Sequence, residues 1–365
     1  MKNEKTKLFL QKNGAWIGLF TLCFLFLILT RGDFFSSRNI TNLLRQASIN
    51  GVLACGMTLV IITGGIDLSI GSLVALAGIA VGYSQLSFDW LSLGYTGALA
   101  STALALVVGT LSGAVSGILI SALSIVPFVI TLGMMVIARG LALIWSGGAS
   151  MAPVSESLGN FAGAYVPPIP SVLAVLALLG VLIYSNRKNL VNLIFPGSLL
   201  AFLAYSFMNY KGMPVIVVFL LVVASVTLFL LSSTVFGRSV YAIGSNQKAA
   251  YWAGVNIKKN LFLVYTFMGF LSGLAAVLLT SRLNSADPNA GQLFELDAIA
   301  AVVIGGTSLK GGSGTVTGSL VGALTIAALN NGMDLMGVPS FYQMVFKGLI
   351  IIGAVAIDSS QRKGT

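Results

Sequence analysis

Long apolar runs that carry almost no charge constrain the fold of this 365-residue chain more than any other feature. The block from Trp90 to Ala138 contains no Asp, Glu, Lys or Arg. Over the whole chain 8% of residues are charged, against about 25% in soluble domains. So little polar surface cannot cover a water-soluble core. The sequence therefore predicts an all-α polytopic membrane protein, and soluble enzymes are excluded as a class.

The apolar runs can be divided into membrane spans because a helix needs about 20 predominantly apolar residues to cross a bilayer. The block after Trp90 is too long for one helix and divides at Ser124–Pro127. This division gives about twelve spans, the tenth of them short. They lie near residues 13–30, 47–64, 68–86, 95–122, 126–145, 171–185, 190–209, 214–233, 260–281, 298–308, 314–331 and 341–357.

The distribution of Lys and Arg predicts the orientation, because these residues favour cytoplasmic loops. With the N-terminus inside, thirteen of the 20 basic residues fall in cytoplasmic segments, five fall outside, and Arg139 and Lys347 lie within spans. We therefore expect both termini in the cytoplasm, and the net charge of +10 reports topology rather than nucleic-acid binding. Arg31, Arg38 and Arg45 break the rule, and we interpret their segment as an amphipathic helix on the outer membrane surface.

Residue types that enzymes and metal sites commonly use are scarce. The chain has no His, and its two cysteines, Cys23 and Cys55, lie in apolar runs without a partner motif. We expect neither a disulfide framework nor a metal site. No GxxxxGK[ST] motif occurs, so the chain has no P-loop of its own. The glycine-rich stretch at 305–315 lacks that order of residues and is read as a membrane hairpin turn.

Small residues recur at four-residue spacing inside several predicted spans. Gly109, Gly113 and Gly117 share one span, and Gly269 and Gly273 share another. Small residues at this spacing let two helix backbones approach closely, which is a common way of packing helices in lipid. We therefore expect these glycines to mark helix contacts.

Three polar features interrupt the apolar runs. In the stretch 63–72, two glycines end one helix, and Asp67 with Ser69 either begins the next as a cap in a tight hairpin or lines a pathway. Arg139 and Lys347 lie at membrane depth, where an unpaired charge costs about 2.5–3.5 kcal/mol even on the mildest scale. They either face a cavity or partner, or extend towards the membrane surface.

Carboxylates collect on the outer side of the predicted topology. Seven of the ten acidic residues fall there, among them Asp287, Glu295 and Asp297. Most are solvated loop charges on the simplest interpretation. Together they could also form an acidic face on which another protein docks.

The most informative loop is the basic cytoplasmic stretch at 236–259. Inside it, residues 246–254 can form a short helix along the membrane that ends at Gly254. This helix is either part of a solvated linker or a surface that another protein grips.

Three motifs resemble the permeases of ribose/xylose/galactose-type ABC importers. They are GMTLVIITGGIDLSIGS at 56–72, the FGR…YAIGSN…AA…GV pattern at 236–255, and ELDAIAAVVIGGTSLKGG at 295–312 followed by LNNGMDLMGVPSFYQ at 329–343. They occur in the family's order and are spread across most of the range 50–358. The extra segment at 186–213 and the form of the last motif are most similar to the xylose-type members.

The resemblance implies a single transmembrane permease domain over residues 1–365, with 186–213 as an extra segment and with two of the twelve spans as an insertion on a ten-helix core. It implies a second copy of the permease, a cytoplasmic ABC ATPase that binds the ATP, and a soluble sugar-binding protein outside a bacterial inner membrane. The permease itself then needs no cofactor. Family members usually carry an acidic residue or two where Gln247 and Lys248 stand here.

The resemblance also implies roles for individual residues. Asn330 and Asn331 of the last motif join Asp67 and Ser69 as residues of the translocation pathway or its hairpin. An ion-coupled secondary sugar transporter is the alternative function, and a membrane-embedded enzyme is a distant third. The residues expected to couple the permease to the ATPase are Gly244, Asn246, Ala249, Ala250 and Gly254.

Overall fold

The computed structural model describes residues 2–185, 187 and 193–361, and its regular structure is almost entirely helical. The two strands, β1 (Tyr165–Val166) and β2 (Met213–Pro214), have two residues each and pair antiparallel. The all-α prediction is confirmed. The helices are α1 Lys2–Leu29, α2 Ser37–Ile62, α3 Ile70–Ser87, α4 Tyr95–Leu123, α5 Pro127–Ser146, α6 Glu156–Gly163, α7 Pro168–Ser185, α8 Ile194–Met208, α9 Val215–Ser233, α10 Val235–Ser245, α11 Gln247–Trp252, α12 Ile257–Leu283, α13 Phe294–Ile304, α14 Val316–Leu335 and α15 Ser340–Gln361.

Six of these helices, α2, α3, α4, α5, α9 and α12, are long and apolar enough to cross a membrane. Shorter apolar helical stretches lie at Asn13–Leu29, Pro168–Tyr184 and Ile194–Met208. These helices support a multi-pass membrane protein, while the count of twelve spans and the side of the termini stay predictions. Part of the predicted extra segment, residues 186 and 188–192, lies outside the described residues, as do residues 362–365.

Contacts between connecting segments agree with a chain that alternates between two sides of a membrane. At one end the Gly312 N–H donates to the Ile62 carbonyl (2.8 Å), which joins two segments predicted to be cytoplasmic. At the other end Met151 and Ala286 form an antiparallel bridge between two segments predicted to lie outside. We call these ends of the bundle the cytoplasmic end and the outer end.

The closest helix packing is between α4 and α12, and glycines make it possible. A side chain added at Gly109 or Gly113 would collide with the backbone of Gly269 or Gly273, and the reverse holds for Gly269. The expectation that the four-residue glycine spacing marks helix contacts is confirmed for this pair. A methyl group at any of these positions would force the two helices apart.

Helix α2 begins ten residues earlier than the span predicted at 47–64 and includes the arginine-bearing segment. Ile40, Leu43 and Leu44 are buried against the rest of the protein instead of lying on the outer membrane surface. The interpretation as a separate amphipathic surface helix is therefore wrong. The apolar side chains of the segment are covered by protein, which hydropathy along the sequence does not reveal.

Helices α7 and α8 pack on each other at the periphery, beside the outer half of α2. Val175 of α7 and Leu200 and Phe207 of α8 share a buried cluster with Ile40 and Leu44 of α2. The ladder between β1 and β2 ties the outer end of this hairpin to the start of α9. The predicted insertion thus contains α8, attached to the side of the helical core.

Helix α13 has 11 residues, about 16 Å, and is too short to cross a bilayer. The segment 284–293 before it runs down along α3: Ala286 lies beside Gly82, and Gly291 packs against Gly71 at the opposite end of α3. This descent places the start of α13, with Glu295 and Asp297, inside the bundle. Glycine at 71 leaves room for that approach, because a side chain there would meet the Gly291 carbonyl.

Candidate functional site

Two consecutive short helices, α10 and α11, form a compact unit at the cytoplasmic end. The Thr234 hydroxyl caps α10 by accepting a hydrogen bond from the Gly237 N–H (3.2 Å), and the Asn246 side chain caps α11 by accepting one from the Ala249 N–H (3.0 Å). Such caps satisfy backbone donors that a helix start leaves open. The prediction of a short helix within 246–254 is confirmed, whereas α10 lies in what the sequence suggested was a loop.

Contacts with the membrane-embedded core fix the position of this unit. Gly244 touches the backbone of Ile62 at the end of α2 and of Gly312, leaving no space for a side chain. The Tyr241 hydroxyl donates to the Gly314 carbonyl (2.8 Å). These contacts leave α10 little space to shift independently of α2 and of the segment before α14.

The residues of α11 divide into an inner and an outer set. Ala250 is 4% exposed and packs towards the permease itself, whereas Tyr251 and Trp252 are 65% and 84% exposed. Gly254 has open space around it, but its φ of +82° favours glycine. The structure thus gives Ala250 and Gly254 roles in shaping the loop, and the surface offered to a partner is aromatic.

Exposed basic side chains occur on the same short helices as this aromatic pair and on the helix that follows them. Arg238, Lys248, Lys258 and Lys259 are exposed on α10, α11 and the first turn of α12. No Asp or Glu occurs anywhere between Glu156 and Asp287 in the sequence. The unit therefore presents exposed aromatic side chains together with an excess of positive charge, which complements a surface of negative charge.

A cleft of about 950 Å³ opens beside α11 at the cytoplasmic end. Its walls include Gln247 and Tyr251 of α11, Ser124 and Pro127 at the turn between α4 and α5, and Gly64 of the hairpin after α2. The cleft connects the exposed unit to the hairpin at 63–69. A shift of α11 would consequently change the space next to the ends of α2 and α4.

The hairpin at 63–69 is held by Asp67. Its Oδ1 accepts hydrogen bonds from the Ser69 N–H (2.9 Å) and the Ser69 hydroxyl (2.6 Å), and both residues are buried. Desolvation by burial raises the pKa of Asp67, and the bonds from Ser69 oppose that shift. The Thr131 hydroxyl donates to the Ile66 carbonyl (3.2 Å) and ties the hairpin to α5. Of the two readings of Asp67, the hairpin is the one that these contacts favour.

Lys347 finds a partner inside the protein. Its Nζ lies 2.9 Å from Oδ2 of Asp297, with the side chains 16% and 4% exposed. The Asn330 side-chain amide is 3.5 Å from the same oxygen, and the buried Asn330 Oδ1 has no hydrogen-bond partner within the part of the chain that the structure describes. The cluster joins α13, α14 and α15. Asp297 is consequently absent from the outer surface and cannot belong to an acidic docking face.

Arg139 also reaches the segment that leads into α13. Its Nη1 donates to the carbonyls of Pro288 (2.6 Å) and Ala290 (2.9 Å), so α5 holds the descending segment in place. Glu295 lies half-buried against α3 near Gly71, and Asp287 accepts a hydrogen bond from its own loop. Both intramembrane charges predicted from the sequence therefore contact protein groups, Lys347 an opposite charge and Arg139 two carbonyls, which lowers their cost in lipid.

The Asn331 side chain is hydrogen-bonded inside the protein. Its amide and that of Asn39 exchange hydrogen bonds of 2.7 and 3.0 Å, and both residues are buried. This pair joins α2 to α14 at the outer end. The structure separates Asn331 from Asn330, which lies at the edge of the Lys347 cluster.

Sequence reasoning missed the aromatic pair on α11 and the bond from Tyr241 to Gly314. The pair is visible in the sequence as two adjacent aromatic residues in a basic loop, but nothing local shows that both side chains are exposed. No local signal marks the Tyr241 bond, since its partner is 73 residues away.

Comparison with known proteins gives a family match over most of the chain. Residues 39–355 match the family described as "Branched-chain amino acid transport system / permease component". The chain is 38% identical over 360 residues to the ribose import permease protein RbsC of Bacillus subtilis, covering 96% of this chain and 93% of the relative. It is 38% identical over 355 residues to the xylose transport system permease protein XylH of Haemophilus influenzae, covering 93% of each.

A third relative, the xylose transport system permease protein XylH of Escherichia coli K12, is 35% identical over 353 residues, covering 92% of this chain and 88% of the relative. No solved structure matches the chain significantly. The relatives extend over nearly the whole length of both proteins, so the likeness includes α10, α11 and the segments around the buried charges.

Proposed function

Because this chain belongs to the family of branched-chain amino acid transport system permease components, we infer that it is the membrane-spanning subunit of an ABC importer for sugars. It is a transport component and not an enzyme, and it is a multi-pass protein of the bacterial inner membrane. The observation that carries this inference is identity of 35–38% with ribose and xylose permeases over most of the chain. We also propose which sugar it transports, which surface contacts the ATPase, and where the sugar crosses the membrane.

The proposed cargo is a monosaccharide, with a xylose-like pentose as the best candidate. Relatives named for ribose and for xylose are equally similar at 38%, so overall identity does not favour either. The extra segment at 186–213 and the last motif support xylose. A binding protein outside the membrane would deliver the sugar, as the family implies.

The proposed contact with the ATPase is the unit formed by α10 and α11. Gly244, Asn246 and Ala250 build and seat the unit, Gly254 ends it, and Ala249 lies on its exposed side beside the aromatic pair. ATP binding would move the ATPase subunits, and the backbone contacts of Gly244 would pass this movement to α2. The ATP is bound by the partner, and the permease needs no cofactor.

The proposed path for the sugar runs between two copies of the permease. We assign the partly exposed residue Asn330 to this path, whereas Asp67, Ser69 and Asn331 hold the surrounding structure. A path lined by few polar groups is suited to transport, because tight binding of the sugar would slow its release. An ion-coupled secondary transporter, the alternative, would use paired charges such as Lys347 and Asp297 but gives no reason for an aromatic cytoplasmic unit.

The cargo is tested by calorimetric titration of the sugar-binding protein encoded beside this permease against xylose, ribose and galactose. We expect the highest affinity for xylose. A protein that binds ribose or galactose more tightly would overturn the xylose proposal while leaving the family intact.

The contact with the ATPase is tested by replacing Trp252 with alanine. An exposed aromatic anchor of an interface contributes about 2 kcal/mol or more, so ATPase affinity should fall by about 30-fold. Trp145→Ala, at the outer end of α5, is the matched control and should leave co-purification of the ATPase unchanged. Equal binding by both variants would contradict the assignment of α11.

A further inference from the structure

The cleft beside α11 has a mixed lining that contact with an ATPase does not require. Ile120, Ile125 and Leu261 contribute apolar side chains, whereas Ser124 and Tyr251 contribute hydroxyl groups. Its volume of about 950 Å³ is in the range of sites that bind small ligands. The lining therefore suits a molecule that is itself part apolar and part polar.

The charge of the cleft is positive. Lys258 is the one charged residue among the described residues that line it. The Lys258 side chain is exposed and forms neither an ion pair nor a hydrogen bond with any described residue. The sequence contains no Asp or Glu between Glu156 and Asp287, so neighbouring residues of this part of the chain supply no opposite charge. The group that complements the cleft is therefore an anion.

The cleft lies at the boundary between the membrane and the cytoplasm. Helices α4 and α5 are both long and apolar enough to span a bilayer, and the turn between them lines the cleft. At this turn Leu123, Val126 and Phe128 are 59%, 64% and 47% exposed. Apolar surface of this kind is uncommon in contact with water, so the turn is covered by lipid. One side of the cleft therefore borders the lipid of the cytoplasmic leaflet.

We propose that the cleft binds the headgroup of an anionic phospholipid, such as phosphatidylglycerol, from the cytoplasmic leaflet. Lys258 pairs with the lipid phosphate, and the hydroxyl groups of Ser124 and Tyr251 donate hydrogen bonds to the headgroup oxygens. Ile125 and Leu261 contact the upper part of the acyl chains. Basic residues next to a membrane-spanning segment favour anionic lipids for the same electrostatic reason.

Two other occupants fit the lining less well. A soluble phosphate compound would pair with Lys258 but would gain nothing from the apolar side chains of Ile120 and Leu261. An acidic loop of the ATPase would approach from water, whereas the turn between α4 and α5 borders lipid. A lipid has both the charge and the apolar chains that the lining complements.

A bound headgroup would also affect the position of α11. Tyr251 of α11 and Gly64 of the hairpin at 63–69 line the same space. A headgroup between them limits how far α11 can move towards the hairpin. Binding of the lipid does not depend on the proposed function and is expected in the permease alone.

The test is a titration of the detergent-solubilised permease with phosphatidylglycerol, followed by native mass spectrometry. Lys258→Gln should raise Kd about fivefold, equivalent to about 1 kcal/mol for one cation near an anionic lipid. Lys258→Arg should retain the affinity because it keeps the charge. Lys259→Gln is the matched control, because it removes the same charge from the next residue, which does not line the cleft, and it should leave Kd nearly unchanged.

Each outcome supports or overturns the proposal. A loss of lipid affinity confined to Lys258→Gln supports it. Equal losses in both glutamine variants would show general attraction of a basic surface for anionic lipid, and no loss in Lys258→Gln would show that Lys258 does not hold the lipid; either result overturns it. Displacement of the lipid by inorganic phosphate would assign the cleft to a soluble phosphate compound and would also overturn it.

A second measurement separates the lipid from the ATPase. If Lys258→Gln releases the ATPase during co-purification while lipid affinity is unchanged, Lys258 belongs to the ATPase contact and the proposal is overturned. We expect the reverse, with weaker lipid binding and normal co-purification. Because the titration uses the permease alone, a failure of ATP-driven uptake would refute the proposed function and leave the lipid result standing.

Discussion

Breaking the ion pair between Lys347 and Asp297 should destabilise the permease more than any exposed substitution. The two groups are 2.9 Å apart, and their side chains are 16% and 4% exposed, so neither charge is well hydrated. Removing one partner of a buried pair costs about 3–5 kcal/mol because the other charge is left uncompensated. The structure indicates which substitution lies at each end of that range.

Lys347→Met leaves the Asp297 carboxylate with only the Asn330 amide at 3.5 Å, and we expect a loss of about 5 kcal/mol. Asp297→Asn leaves a lysine that is partly exposed and long enough to move towards the membrane surface, so about 3 kcal/mol is expected. The double variant carries neither charge. Its loss should be close to that of the milder single variant, well below the sum of about 8 kcal/mol.

Free energies of unfolding for the four proteins can be measured by denaturation with SDS in mixed micelles. A coupling energy of about 5 kcal/mol between the two sites is expected from these losses. Additive losses would show that the two charges do not stabilise each other, and the interpretation of Lys347 as a paired intramembrane charge would then be refuted.

Three further predictions concern the cytoplasmic unit, the hairpin and the topology. Gly244→Ala should lower the free energy of unfolding by about 1–3 kcal/mol and weaken coupling to the ATPase, because the added methyl group meets the backbone of α2. Gly254→Ala should lower it by less. Thermal stability and ATP-dependent uptake distinguish the two variants. Asp67→Ala removes two hydrogen bonds and should lower thermal stability without releasing the ATPase, as co-purification will show. In a chain without native cysteines, Asn42→Cys should react only from outside and Lys310→Cys only from the cytoplasm; the reverse labelling would reject the orientation.

Helices that are bounded by glycine or proline and embedded in lipid were predicted most accurately from the sequence. The predicted spans at 95–122, 126–145 and 214–233 differ from α4, α5 and α9 by at most one residue at either end. Long apolar runs leave no other conformation with satisfied backbone groups in a bilayer, so hydropathy alone places them. The glycine spacing predicted the contact between α4 and α12 for a similarly local reason.

The remaining features depend on contacts between distant parts of the chain. The start of α2 was misplaced because Ile40 and Leu44 are covered by α7 and α8, and local hydropathy does not record that cover. The partner of Lys347 is 50 residues away in sequence. Ala250 matched a family motif, yet only the packing of α11 shows that it faces the permease and that Trp252 faces outwards. Motifs thus located the candidate site, and tertiary packing decided which side of it meets a partner.

The central claim is that this permease moves a sugar only when an ATPase drives it. Proteoliposomes containing the permease, its ATPase and the external sugar-binding protein can be loaded with ATP, and entry of radiolabelled xylose can be followed. Uptake should require ATP together with the ATPase, fall sharply in Trp252→Ala, and be indifferent to proton or sodium gradients. Uptake by the permease alone that follows an ion gradient would contradict the account.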